Sequence, residues 1–165
     1  MTLWLLVPLL GLIAILQTTL VPRLAIAGFK LDLPLLVVVA WGLIGRPGEA
    51  AAWGFIAGIF LDLMSGLPFG THTLALTGVG LVMGLAQSTI FHSNVILPPA
   101  AVILATLGHN VIVLGLLNTI GWPIPWNDYL LRVTLPTALL NTLALPIVYF
   151  PLPRLHRRLR PQVEW

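Results

Sequence analysis

The stretch WGFIAGIFLDLMSGLPFG, residues 53–70, places one carboxylate, Asp62, inside an otherwise apolar run. Gly54, Gly58 and Asp62 lie four residues apart, so on a helix each is rotated only about 40° from the previous one. An ionisable group in a lipid-embedded helix costs roughly 2.5–3.5 kcal/mol, so it usually contacts protein or a cavity. The stretch predicts a membrane helix with one face of bare backbone that ends in a buried acid.

The composition of the whole chain predicts an all-α integral membrane protein. Of its 165 residues 58% are hydrophobic and only 8% are charged, whereas about a quarter of the residues of a soluble domain carry charge. Much of the net charge of +3 comes from arginines near the end of the chain, which does not indicate nucleic-acid binding. We expect a polytopic domain of about six transmembrane helices over residues 1–150 and a basic cytoplasmic tail over residues 151–165.

The order of the apolar segments predicts the topology. The second and third segments, within residues 33–64, are each shorter than the roughly 17 residues usually needed to span a bilayer. They form either two short spans, which we favour, or a re-entrant pair shielded by the other helices. Both termini then lie in the cytoplasm, because positive residues near helix ends stay on that side. The tail arginines are expected to contact anionic lipid or a cytoplasmic partner: Arg154, Arg157, Arg158 and Arg160.

Three roles are open for Asp62. It can cap a neighbouring helix or bind loop donors, it can contact another helix or a partner, or it can belong to a proton or cation path. Asp62 is one of a set of candidates for partner binding or helix packing, which comprises Gln17, Gly54, Phe55, Gly58, Asp62, Gly66, Gly80 and Gly84. Gly80 and Gly84 extend the small-residue pattern to the fourth segment, where close backbone approach favours association in lipid.

The remaining polar residues indicate interhelical hydrogen bonding. Gln17 and Asn141 are expected to bind each other or nearby backbone across helices, and His109 is expected to stand apart from the other histidines. The chain has no HExxH, GxSxG or GxxxxGK[ST] pattern and no cysteine. We therefore predict no enzymatic activity, no cofactor and no metal site.

Several short motifs resemble those of a known family. They are LQTTL at residues 16–20, DLP at 32–34, the pattern GFxxGxxxDL at 54–63 and PFG at 68–70. The chain is similar in these to the rod shape-determining protein MreD family. The resemblance implies a non-enzymatic scaffold of the bacterial cell-elongation complex in the plasma (inner) membrane, which binds MreC and supports lateral peptidoglycan synthesis. It also implies proximity, direct or indirect, to RodA and a class B penicillin-binding protein, with MreB on the cytoplasmic side.

The resemblance suggests a role for the glycine faces of the third and fourth helices, which would dock the single membrane helix of MreC. Gly58→Leu is then expected to disrupt co-purification with MreC while the protein still inserts. The alternative function is a small-solute, vitamin-type carrier, because a compact bundle of six short helices also resembles the substrate-binding subunits of energy-coupling-factor transporters. A polar-lined interior cavity would favour the carrier, and a collapsed apolar interior would favour the scaffold.

Overall fold

A computed structural model describes residues 3–23, 30–45, 48–90 and 97–152. These residues form helices and no strand, which confirms the all-α prediction. We number the helices in chain order: α1 Leu3–Thr19, α2 Leu33–Ile44, α3 Glu49–Ser65, α4 Thr71–Ile90, α5 Leu97–Thr119 and α6 Trp126–Tyr149. Helix α6 contains a π-helical segment, Leu130–Thr134.

The lengths of the helices bear on how the chain crosses a membrane. Two of them, Pro98–Thr119 and Trp126–Tyr149, are long and apolar enough to span a bilayer, while Leu6–Thr19 and Leu33–Ile44 are apolar but shorter. The six-span count, the choice between two short spans and a re-entrant pair, and the cytoplasmic termini remain predictions. Most of the basic tail, residues 153–165 with its four arginines, lies outside the described residues.

Helix α2 forms the centre of the bundle. Nine of its twelve residues are buried, and it contacts all five other helices. At about 1.5 Å per residue it is about 18 Å long, less than the roughly 30 Å of a hydrocarbon core. Because the surrounding helices cover it, its short backbone is shielded from lipid by protein, which is the setting in which short helices occur at membrane depth.

Helices α3 and α4 form a hairpin with the most extensive helix contact of the described residues. Helix α3 ends at Gly66, whose φ of +69° is left-handed, and Gly70 has a φ of +99° immediately before α4. Both are conformations that glycine adopts without a steric penalty, so the chain reverses within five residues, 66–70. We call the end of the bundle with this turn, the start of α2 and the loop 120–125 the Asp62 end.

Candidate functional site

Asp62 lies in the last turn of α3 and is buried, with 5% of its surface exposed. Its Oδ1 accepts a hydrogen bond from the backbone N–H of His72 at 2.8 Å. Its Oδ2 accepts from the backbone N–H groups of Gly70 at 2.9 Å and Thr73 at 3.0 Å, and from the Thr73 hydroxyl at 2.6 Å. The first N–H groups of a helix have no partner within that helix. Asp62 therefore caps α4 from the preceding helix.

The two carboxyl oxygens of Asp62 contact four hydrogen-bond donors, three at Oδ2 and one at Oδ1. The carboxyl group lies at the N-terminus of α4, where the helix dipole is positive. Of the three roles open from the sequence, the structure shows helix capping. The donors are backbone amides and one threonine hydroxyl, none of which exchanges protons readily enough for a proton path.

The glycines of α3 and α4 face one another. A Cβ added to Gly54 would lie 3.1 Å from the Thr77 nitrogen and overlap the Leu76 carbonyl. A Cβ on Gly58 would lie 2.7 Å from the backbone nitrogen of Thr73, and one on Gly80 would lie 2.8 Å from that of Ala51. Cβ atoms essentially never approach other atoms within 3.0 Å. These three glycines are therefore required for the contact between α3 and α4.

This packing corrects the docking interpretation of the glycine faces. A partner helix cannot enter the groove at Gly54 and Gly58, because α4 of the same chain fills it. Gly58→Leu would force α3 and α4 apart, so it is no longer a clean test of partner binding. Of the two roles predicted for these glycines, partner binding and helix packing, the structure shows helix packing at Gly54, Gly58 and Gly80.

The other candidates on α3 and α4 have separate positions. Phe55 is half exposed. Gly66 ends α3 in its left-handed conformation. Gly84 is buried on α4.

Gln17 and Asn141 do not bind each other; both bind the segment that starts α2. Gln17 donates from Nε2 to the Leu31 carbonyl at 2.8 Å and accepts from the Leu33 N–H at 2.9 Å. Asn141 accepts from the Asp32 N–H at 2.9 Å, and its Nδ2 donates to the Thr106 hydroxyl at 3.2 Å. Asp32 itself caps α2 through its Oδ1, which accepts from the Leu35 N–H at 3.1 Å. The expected bonding to backbone across helices is confirmed, and it joins α1, α5 and α6 to the start of α2.

A cavity of about 500 Å³, lined by both polar and apolar residues, opens beside this segment, between α1, α4, α5 and α6. His109 of α5 is 4% exposed and lines it, and the His109 ring stacks on that of His72 at a centroid distance of 5.9 Å. The expectation that His109 stands apart from the other histidines is therefore wrong. His109 Nδ1 lies 3.7 Å from Asp32 Oδ2, too far for a hydrogen bond.

The sequence alone does not indicate this cavity, because its lining residues are far apart along the chain. Asp32, His72 and His109 come from different helices, and no local spacing relates them. The one available signal was that each is a polar residue beside or within an apolar segment. Among the described residues, no group of three His, Asp or Glu side chains is placed to hold a metal ion.

The fold and site define a small, all-helical membrane protein whose buried acid stabilises a helix hairpin. The sequence profile of the rod shape-determining protein MreD matches residues 1–159. The chain therefore belongs to the MreD family, a family of membrane proteins that determine cell shape and are not known as enzymes. No curated protein and no solved structure matches the chain, so the expected likeness to energy-coupling-factor subunits remains a prediction.

Proposed function

We propose that this protein is a non-enzymatic scaffold of the bacterial cell-elongation complex, which binds MreC and supports lateral peptidoglycan synthesis beside RodA and a class B penicillin-binding protein. The family match over residues 1–159 carries the proposal. The structure adds support through the role of its most unusual residue, because Asp62 is engaged by backbone donors and a threonine hydroxyl. A rigid hairpin of this kind suits a protein that holds partners in position.

The contact with MreC requires a surface other than the α3–α4 glycine contact. An apolar groove of about 510 Å³ lies between α4 and α5, and small residues form much of its lining: Gly78, Ala86, Ala100, Ala101, Ala105 and Gly108. Small residues let a second helix approach closely, which is how membrane helices gain dispersion energy in lipid. We therefore assign the single membrane helix of MreC to this groove.

The variant Gly108→Leu tests this assignment. A Cβ on Gly108 meets no atom within 4 Å, so a side chain can start there without its Cβ overlapping the chain's own helices, and the leucine extends from a position that lines the groove. The matched control is Gly115→Leu, because Gly115 lies on the same helix, also has open space at its Cβ, and does not line the groove.

We expect Gly108→Leu to lose co-purification with MreC from detergent-solubilised membranes and to fail to restore rod shape in cells depleted of their own copy. Gly115→Leu should retain both. If both variants co-purify with MreC as well as the unaltered protein does, the groove is not the contact surface. If the unaltered protein itself does not co-purify with MreC or restore rod shape, the scaffold function is wrong.

The polar cavity favours a second candidate, the small-solute carrier. Polar groups that converge on a cavity are a feature that a carrier requires, and this half-open cavity, which combines polar and apolar residues, lies within the range of about 300–1,000 Å³ that is typical of ligand sites. Thermal unfolding in the presence of vitamins distinguishes the two functions. Ligand-dependent stabilisation by a vitamin would support the carrier.

A further inference from the structure

The cavity at the Asp62 end has two connected parts. The larger part, about 500 Å³, adjoins a second part of about 340 Å³, and both are lined by Gln17, Lys30, Asp32 and His72. The walls of the larger part include apolar side chains from α5 and from the loop 120–125: Val113, Leu117 and Ile124. The space therefore combines polar and apolar lining residues, which suits an amphipathic molecule.

His109 indicates that the cavity is built to be occupied. Both of its ring nitrogens are buried and have no hydrogen-bond partner among the described residues. The Nδ1 atom of His72 is also buried and also has no partner among them. Buried polar atoms are nearly always paired, because an unpaired one loses its hydration without compensation. Both histidines line the cavity, so a molecule within it could supply the missing partners.

Two opposite charges at the cavity define what that molecule would be. The Asp32 carboxylate is 20% exposed, and its Oδ2 accepts no hydrogen bond from the residues that the structure describes, with His109 Nδ1 3.7 Å away. Lys30 is exposed at the opening and forms no ion pair with the part of the chain that the structure describes. The aromatic rings of Trp122 and Tyr129 also line the cavity and can attract a cation through their faces.

We propose that this cavity binds a small zwitterion that carries a primary ammonium group and an acid group. The ammonium donates to Asp32 Oδ2, the acid group pairs with Lys30, and the apolar walls cover the rest of the molecule. This chemistry has two sources, the headgroup of phosphatidylethanolamine and a free apolar amino acid. The proposal is independent of MreC binding and assigns no transport to the protein.

The experiment uses the purified full-length protein and two probes. Native mass spectrometry compares retention of phosphatidylethanolamine with that of phosphatidylcholine, whose quaternary ammonium has no N–H to donate. Thermal unfolding compares L-leucine with N-acetyl-L-leucine, which lacks the ammonium. The test variants are Lys30→Gln and Asp32→Asn. Asparagine caps helices as well as aspartate does, so α2 keeps its cap.

Matched control variants remove one positive and one negative charge at positions outside the cavity. Arg132→Gln and Asp128→Asn break an exposed pair on α6 with a separation of 3.6 Å, and neither residue lines the cavity. We expect the ammonium-bearing probe from one source to be preferred about tenfold, equal to ~1.4 kcal/mol. Asp32→Asn should abolish that preference, whereas Lys30→Gln should weaken the binding of both probes from that source, because both carry the acid group. The controls should bind as the unaltered protein does.

The source is identified by which probe shows the preference. A lipid preference that Asp32→Asn abolishes assigns the headgroup, and a preference for leucine over N-acetyl-leucine that Asp32→Asn abolishes assigns the amino acid; in either case Lys30→Gln lowers the binding of both probes. The proposal is overturned if neither ammonium-bearing probe is preferred, or if Lys30→Gln and Asp32→Asn bind like the controls. Because Lys30 is exposed, its variant keeps the test valid even if Asp32→Asn lowers stability.

Discussion

Replacing Asp62 with alanine removes the acceptor of four hydrogen bonds at the start of α4. Three of the donors are backbone N–H groups, and each such bond contributes about 1 kcal/mol net. The expected loss is therefore about 3 kcal/mol in the free energy of unfolding. For a chain of this length, that corresponds to a fall of about 6–12 °C in the thermal unfolding midpoint.

Asp62→Asn refines this prediction. The amide oxygen can replace Oδ2 and keep its three donors, but the amide nitrogen then faces the N–H of His72, where Oδ1 had accepted. We expect a smaller loss of about 1–2 kcal/mol, equal to one unmet hydrogen bond. Asp128→Asn removes a carboxylate that is 65% exposed, and it should change stability by less than about 0.5 kcal/mol. Circular dichroism during heating in detergent measures the unfolding of Asp62→Ala, Asp62→Asn and Asp128→Asn. If Asp62→Ala unfolds at the same temperature as the unaltered protein, Asp62 does not stabilise the fold by capping α4.

Two further predictions use the same measurement. Gly58→Ala should lower the free energy of unfolding by about 1–3 kcal/mol, because its methyl group overlaps the Thr73 backbone. The control Gly115→Ala meets open space and should not destabilise the protein. Equal stability of the two variants would contradict the proposed α3–α4 contact. Gln17→Ala should cost about 1–3 kcal/mol, because it leaves the Leu31 carbonyl and the Leu33 N–H unpaired at the start of α2. Its control is Thr19→Ala, since the Thr19 hydroxyl is exposed and, among the described residues, binds the Ile15 carbonyl of its own helix. A loss in the control as large as that in Gln17→Ala would contradict the role assigned to Gln17.

Local spacing was enough to predict the packing face of α3. Gly54, Gly58 and Asp62 share one side of a helix wherever that helix lies, so a close backbone contact ending in an acid followed from the sequence. Which helix makes the contact did not follow, because an external helix and α4 fit the same pattern. In the structure α4 makes this contact, because the turn at residues 66–70 returns the chain along the glycine face of α3.

Contacts between distant residues were predicted less completely. Gln17 and Asn141 were expected to bond across helices, and they do, but their shared target at residues 31–33 depends on how three helices meet. The pairing of His72 with His109 was not predicted at all, because it depends on the rotation of α4 and α5 about their axes. The sequence pattern of an apolar helix does not specify that rotation when nearly every position is hydrophobic.

The hydrogen bonds of Asp62 have a consequence for the order in which the chain enters the membrane. Its donors lie only 8 to 11 residues further along the chain. Contacts of such short range form early, because little loop entropy is lost in closing them. The carboxyl group can thus be hydrogen-bonded as soon as the first turn of α4 leaves the ribosome, before any later helix exists. Helices α3 and α4 would then insert together as one unit, so the acid need not pass through lipid unpaired.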